Sequence, residues 1–245
     1  MNSRVALPSS PISCVICAYN EAPRIGGVLA VVEKHPLIDQ VIVVDDGSTD
    51  GTADVARGFP GVQVIECPVN RGKSIAMATG VAETRNDLLM LLDADLKGLT
   101  AADVSALASP VLEGVAEVTL SLRCNSLPIF RLMGLDFVSG ERVLRKKLLA
   151  DTLAELHLLP RFGVEVFMNH RIIEQRLPIV SVHWPRVTQA RKTEKFGWWR
   201  GQRAEMRMAL DLLRAVYPIE LVSQSWHMLG LRADRAAQSV TAGTA

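Results

Sequence analysis

From residue 12 to residue 121, short runs of β-branched and aliphatic residues alternate with stretches whose apolar positions recur every three or four residues. The runs Ile12–Ala18, Gln40–Asp45, Val62–Cys67, Asp87–Leu92 and Ala116–Ser121 read as strands. Between them Ile25, Val28, Leu29 and Val32 keep helical spacing, as do Ile75, Ala78, Thr79 and Ala82. Strand and helix in alternation predict βαβ units, whose parallel strands are apolar throughout because helices cover both faces of the sheet. After residue 122 the alternation loosens into an irregular stretch through Pro128, a helical pattern around Glu141–Leu156 and another after Gly163. A short strand, Ile179–His183, rejoins the sheet. The expected fold class is α/β, a mostly parallel mixed sheet flanked by helices. It forms one unit over residues 1–230, with halves at 11–121 and 122–230 and a flexible small-residue tail over 231–245.

Polar residues begin where the early strands end: Tyr19-Asn20-Glu21, Asp45-Asp46-Gly47-Ser48, Asn70-Arg71-Gly72-Lys73 and Asp93-Ala94-Asp95. In open α/β sheets the carboxyl ends of the strands form the ligand crevice, so all four groups are expected at one edge. Asp93 and Asp95, one residue apart after an apolar strand, suit a hard divalent cation, Mg²⁺ or Mn²⁺, which takes oxygen ligands and shares its shell with diphosphate oxygens. Asp46 follows a buried strand and is placed to accept hydrogen bonds from a uracil or guanine. Ser48, Thr49 and Asp50 read as turn residues, and Thr52 as a cap for the next helix.

Charge narrows the functional classes. The 27 Lys and Arg against 26 Asp and Glu leave a net charge of +1, too small for nucleic-acid binding by bulk electrostatics. The first 100 residues hold 8 basic and 12 acidic side chains, so the excess of basic residues lies downstream, seven of them within Arg186–Arg207. No secretory signal is expected at the N-terminus, and charges interrupt every long apolar run, so the chain reads as cytoplasmic, soluble or peripheral at the inner face of the membrane. Cys14 and Cys17 form a C-x-x-C, but on a strand residues three apart face opposite ways, and ordinary packing is expected of both.

Cys17-Ala18-Tyr19-Asn20-Glu21, V-V-D-D-G-S-T-D-G-T, Asn70-Arg71-Gly72-Lys73 and L-L-D-A-D stand in this order over residues 11–100. As a set they resemble the family 2 glycosyltransferases, whose fold is GT-A, that of the nucleotide-diphospho-sugar transferases. The resemblance implies a UDP- or GDP-linked sugar donor and a Mg²⁺ or Mn²⁺ ion. It places Ala18, Tyr19 and Glu21 against the nucleoside, Asp46 on the base, and Arg71 or Lys73 near the phosphates. Asp93, Ala94 and Asp95 would serve ribose and metal, with Asp95 counted among the catalytic residues. No G-x-x-x-x-G-K-[ST] occurs, which excludes a P-loop, and no G-x-G-x-x-G follows the first strand.

Downstream, Phe137-Val138-Ser139-Gly140-Glu141-Arg142 and Arg161-Phe162-Gly163-Val164-Glu165 resemble acceptor-side stretches of polyprenyl-phosphate glycosyltransferases and of glucosyl-3-phosphoglycerate synthases. Glu165 is a candidate to orient or deprotonate an acceptor hydroxyl, or equally a partner of its helix dipole. His183 closes a strand in the region where the resemblance implies a third metal ligand, and reads otherwise as a hydrogen-bonded structural residue. Arg191, Lys192 and Lys195 are expected to clamp a diphosphate or an acceptor phosphate. Trp198, Trp199 and the basic segment after them fit a headgroup region.

The resulting expectation is a metal-dependent transferase acting on a lipid-linked phosphate or glycolipid, with a homodimer left open. A soluble enzyme using a small phosphorylated acceptor such as a phosphoglycerate is the alternative. Behind these stand a sugar nucleotidyltransferase, whose basic Gly-rich loop is missing after the first strand, and a non-catalytic nucleotide-sugar binder.

Overall fold

A computed structural model describes residues 11–150, 163–190 and 218–233. Seven strands form the main sheet: β1 (Ile12–Ala18), β2 (Ile38–Asp45), β3 (Val62–Glu66), β4 (Leu88–Asp93), β6 (Val118–Arg123), β7 (Arg142–Arg145) and β8 (Ile179–Trp184). Their spatial order is β3-β2-β1-β4-β7-β6-β8. Neighbouring strands run parallel except β7, which is antiparallel to both β4 and β6. Two further strands, β5 (Leu96–Lys97) and β9 (Thr188–Gln189), pair antiparallel beside the end of β4.

Strand β4 shows why the sheet is apolar on both faces. Leu88, Met90 and Leu92 enter one buried cluster together with Ile25, Val28, Leu29 and Val32 of α1 (Ala22–Val32) and Val104 and Leu107 of α4 (Ala101–Leu112). Leu89 and Leu91, with the opposite pleat, enter another with Met77 and Val81 of α3 (Lys73–Ala82), and with Val164, Met168 and Ile172 of the helix Gly163–Glu174. Gly80 lets α3 lie against the sheet, since a Cβ there would stand 2.5 Å from Val15 Cγ1. Thr100 and Asp103 close a reciprocal capping box at the start of α4. The shorter helices are α2 (Thr52–Arg57), α5 (Pro128–Met133) and α6 (Lys147–Ala150); Gly163–Glu174 is α7 and Pro218–Gly230 is α8.

Two expectations are corrected. The helical pattern around Glu141–Leu156 contains β7 instead, between β4 and β6, and helix begins only at Lys147. Val143 and Leu144 face opposite clusters, which strand geometry satisfies and a helix would not. Residues 231–233, expected in the tail, bond along Ile179: its N–H donates to the Leu231 carbonyl and the Ala233 N–H donates to its own carbonyl. The C-x-x-C behaves as expected, with Cys14 and Cys17 in different clusters.

The carboxyl ends of β1, β2, β4 and β6 share one edge, and because β7 is reversed, its entry residues Gly140 and Glu141 reach that same edge.

Candidate functional site

The loops after β1 and β2 are bonded into one unit. Asn20, at φ 55°, donates its N–H to Ser48 Oγ at 2.9 Å and accepts the Thr49 N–H at Oδ1. The N–H of Ala22 donates to Asp50, and that of Glu21 to the Thr52 hydroxyl. Ser48, Thr49 and Asp50 are therefore structural, as expected. Thr52 is corrected: it is the first residue of α2 behind Gly51, and its side chain bonds the other loop rather than capping the helix. Of the expected nucleoside contacts, Ala18 is buried at the end of β1, Glu21 is buried and ion-paired with Arg24, and Tyr19 stands out into solvent.

Asp46 is buried, and its carboxylate accepts the Arg71 N–H at 2.9 Å and the Gly72 N–H at 2.7 Å. It thereby holds the loop that leads into α3. Gly47 makes the approach possible: its φ is +73°, and a Cβ would lie 2.6 Å from the Val69 carbonyl carbon.

Lys73, in the first turn of α3, places Nζ 2.7 Å from Asp93 Oδ1 and 2.8 Å from Glu165 Oε1. Burial pulls the Lys73 ammonium down, but the two carboxylates outweigh it and hold its pKa well above the ordinary lysine value. Asp93 Oδ2 accepts from Gln189 Nε2 at 2.9 Å. Gly140 closes over this group, since a Cβ there would lie 2.7 Å from Lys73 Nζ and 2.8 Å from Asp93 Oδ1. Asp95 is buried beside β5, and its carbonyl accepts the Ala190 N–H. Glu165 Oε2 is buried with no hydrogen-bond partner. Burial also pushes the Cys17 thiol, level with Asp93 across β1 and β4, up to about 12.

Beside Lys73, Gln189 meets Asp93, whereas His183 is exposed on β8 opposite Leu122. Among the described residues no three His, Cys, Asp or Glu side chains stand together as a metal site. Arg191, Lys192, Lys195, Trp198 and Trp199 lie outside the described residues.

Several residues to which sequence reasoning assigns no individual role shape this edge, some of them within the acceptor-side stretch Phe137–Arg142. Arg123, at the end of β6, bonds both oxygens of Glu141 at 2.6 and 2.8 Å and lies 3.6 Å from Asp136. The Ser121 and Ser139 hydroxyls complete the Glu141 carboxylate. Burial raises the pKa of Glu141 against the pull of Arg123, and nearby Asp93 adds to the rise. Arg142 is wholly buried, donating to the carbonyls of Phe137 and Ser139 and to Asn169 Oδ1, and burial lowers its pKa to about 10. It shapes the turn that carries Gly140. A signal existed in the S-G-E-R tetrapeptide, which puts two charges among apolar residues. A separate cavity of about 200 Å³ lies behind the β2–α2 loop, lined by Asp45, Ser48, Thr52, Glu66 and Cys67 among others, and contains neither residue of the D-x-D.

Residues 13–108 match glycosyl transferase family 2. A dolichyl-phosphate beta-glucosyltransferase of Trichomonas vaginalis is 28% identical, over 50% of this chain and 44% of its own length. The chain thus spans less than half of that relative. The mouse dolichyl-phosphate beta-glucosyltransferase is 26% identical, over 84% of this chain and 75% of its own. Glucosyl-3-phosphoglycerate synthase of Mycobacterium tuberculosis, solved with Mn²⁺, UDP-glucose and glycerol 3-phosphate, superposes with a TM-score of 0.63. It is 25% identical, over 84% of this chain and 80% of that one. Residues 13–108 thus resemble glycosyl transferase family 2, and the sheet that carries them has the GT-A fold.

Proposed function

We propose that the protein moves a sugar from a nucleotide-diphosphate sugar to a lipid-linked phosphate, with a divalent cation held at the D-x-D. The observation that carries this reading is the meeting of Asp93, Lys73, Glu165 and Gln189 at the carboxyl end of β4, beside the loop that Asp46 secures. The oxygen donors suit Mg²⁺ or Mn²⁺: Asp93 and Asp95 supply carboxylates, and the Gln189 amide oxygen becomes a further donor if the amide turns over. When bound, the cation neutralises diphosphate charge as the leaving group develops it.

The chain's own residues do the rest. Asp46 holds the 71–72 loop, and its remaining lone pairs are free to accept from a base. Lys73 sits where a β-phosphate adjoining Asp93 would meet a cation. Glu165, whose Oε1 meets Lys73, keeps hydrogen-bonding capacity at its buried Oε2. Arg191 and Lys195 remain the proposed phosphate clamp, over a purely lipid-facing role, on their charge.

The names of the mouse and Trichomonas relatives favour a lipid phosphate acceptor, and the mycobacterial synthase favours the alternative, a small phosphorylated acceptor. The two part on chemistry. A phosphate oxygen arrives ionised and needs no base, whereas a hydroxyl must lose its proton to one. Incubating the protein with UDP- or GDP-sugars and Mn²⁺, then offering polyprenyl phosphate or 3-phosphoglycerate, tests the assignment. Glycosylated polyprenyl phosphate is expected; transfer to phosphoglycerate alone would shift the function to the alternative.

A further inference from the structure

Exposed apolar residues gather on α5. Phe130 points inward and packs edge-on against Phe137, with ring centroids 4.9 Å apart. Leu127, Ile129 and Leu132 point outward, 60%, 54% and 85% exposed. Arg131 is exposed among them, and exposed Arg232 donates to the Met133 carbonyl at 3.2 Å, which brings a second cation to the end of the same helix. Neither residues 124–135 nor residues 223–233 contain a carboxylate side chain. Large apolar side chains flanked by two arginines complement an anionic lipid surface: the apolar groups enter the acyl boundary and the guanidiniums meet the phosphates.

The place of α5 agrees. Asn125 exchanges hydrogen bonds with the backbone of Gln189, whose side chain holds Asp93. Leu127 follows two residues later, within about 7 Å of chain from Asn125. The apolar face therefore starts beside the mouth of the candidate site.

We propose that α5, with Arg131 and Arg232, docks the protein on an anionic bilayer and so brings the site to an acceptor phosphate at the headgroup level. This deepens the lipid-phosphate reading and rests on it for its purpose.

The test is sedimentation of the full chain with phosphatidylglycerol or phosphatidylcholine vesicles. Wild type is expected to pellet with the anionic vesicles. The Ile129→Glu/Leu132→Glu variant, altered only at exposed positions, should keep its circular dichroism and melting temperature and bind them roughly ten-fold or more weakly. Arg131→Ala should bind phosphatidylglycerol about five-fold more weakly and phosphatidylcholine unchanged. A wild type that stays in the supernatant overturns the proposal, and so does a double variant that pellets like wild type. A double variant that changes only the sedimentation velocity of the free protein also overturns it, because the face is then an interface between copies. UDP-glucose binding in lipid-free buffer, measured alongside, keeps failure of the transferase reading separate from failure of docking.

Discussion

Lys73 and Glu165 join the first turns of two helices: Nζ in α3 lies 2.8 Å from Oε1 in α7, and the same ammonium holds Asp93 at the end of β4. One cation thereby fixes the spacing of three elements around the candidate site. Replacing it with an apolar side chain leaves two inward-facing carboxylates without their shared partner.

Lys73→Met is expected to destabilise the fold by about 2–3 kcal/mol, below the usual cost of breaking a fully buried pair because Lys73 is partly exposed. The pH dependence follows from the raised pKa. Stability contributed by this ammonium is present at every pH below the unfolded-state value near 10.5 and is lost as pH rises through the still higher folded value. Urea unfolding from pH 7 upward should show a constant gap between wild type and variant that narrows only above pH 10.5. A gap that closes by pH 9 would contradict the pairing.

Glu165→Gln separates the two acceptor classes. General-base assistance contributes about 10²–10⁴-fold to rate. With a hydroxyl acceptor, kcat should fall by that amount. With a polyprenyl phosphate, which needs no proton removed, the loss should stay within about ten-fold and reflect only the weakened tie to Lys73. Initial rates with both acceptors read the difference.

Gly140→Ala puts a methyl group against Lys73 Nζ and Asp93. The expected cost is about 1–3 kcal/mol of stability, as for overpacking. Nucleotide-sugar affinity should fall as well, because Lys73 and Asp93 must separate to admit the methyl. Calorimetry on Gly140→Ala beside Gly114→Ala, a change at a positive-φ turn in open space, checks this: only the first should lose donor binding.

Much of the fold is legible in the chain, for a physical reason. A strand buried on both faces writes itself as an uninterrupted aliphatic run, and β1 spans the predicted Ile12–Ala18. Strand β7 is hidden because Arg142 and Arg145 frame only two apolar residues, and a buried arginine satisfied by three neutral acceptors violates the pattern by which charge marks the surface. The D-x-D and the Asp46 turn are legible as local motifs. Gln189 is not: its partner Asp93 lies 96 residues away, and an amide in a short edge strand carries no periodic signal. His183, a candidate ligand by residue type alone, stands six residues before Gln189 and is exposed on β8.

Asp46→Ala removes the acceptor for two backbone N–H groups. Bonds to a charged acceptor are worth about 1.5–3 kcal/mol each, partly recovered by water, so a loss of about 2–3 kcal/mol is expected. Exchange of the Arg71 and Gly72 amides should speed up before the rest of the sheet. If Asp46 also reads the base, the variant will bind UDP and GDP with converging affinities.

Calorimetric titration with UDP-glucose and GDP-mannose, with Mn²⁺ and again with EDTA, tests the central claim most directly. Two carboxylates and a diphosphate repel one another unless a cation bridges them. At least one donor should bind with Mn²⁺ and lose most of its affinity in EDTA, and Asp95→Ala should abolish the difference. Donor binding of equal strength in EDTA, or metal-dependent binding that survives Asp95→Ala unchanged, would contradict the account.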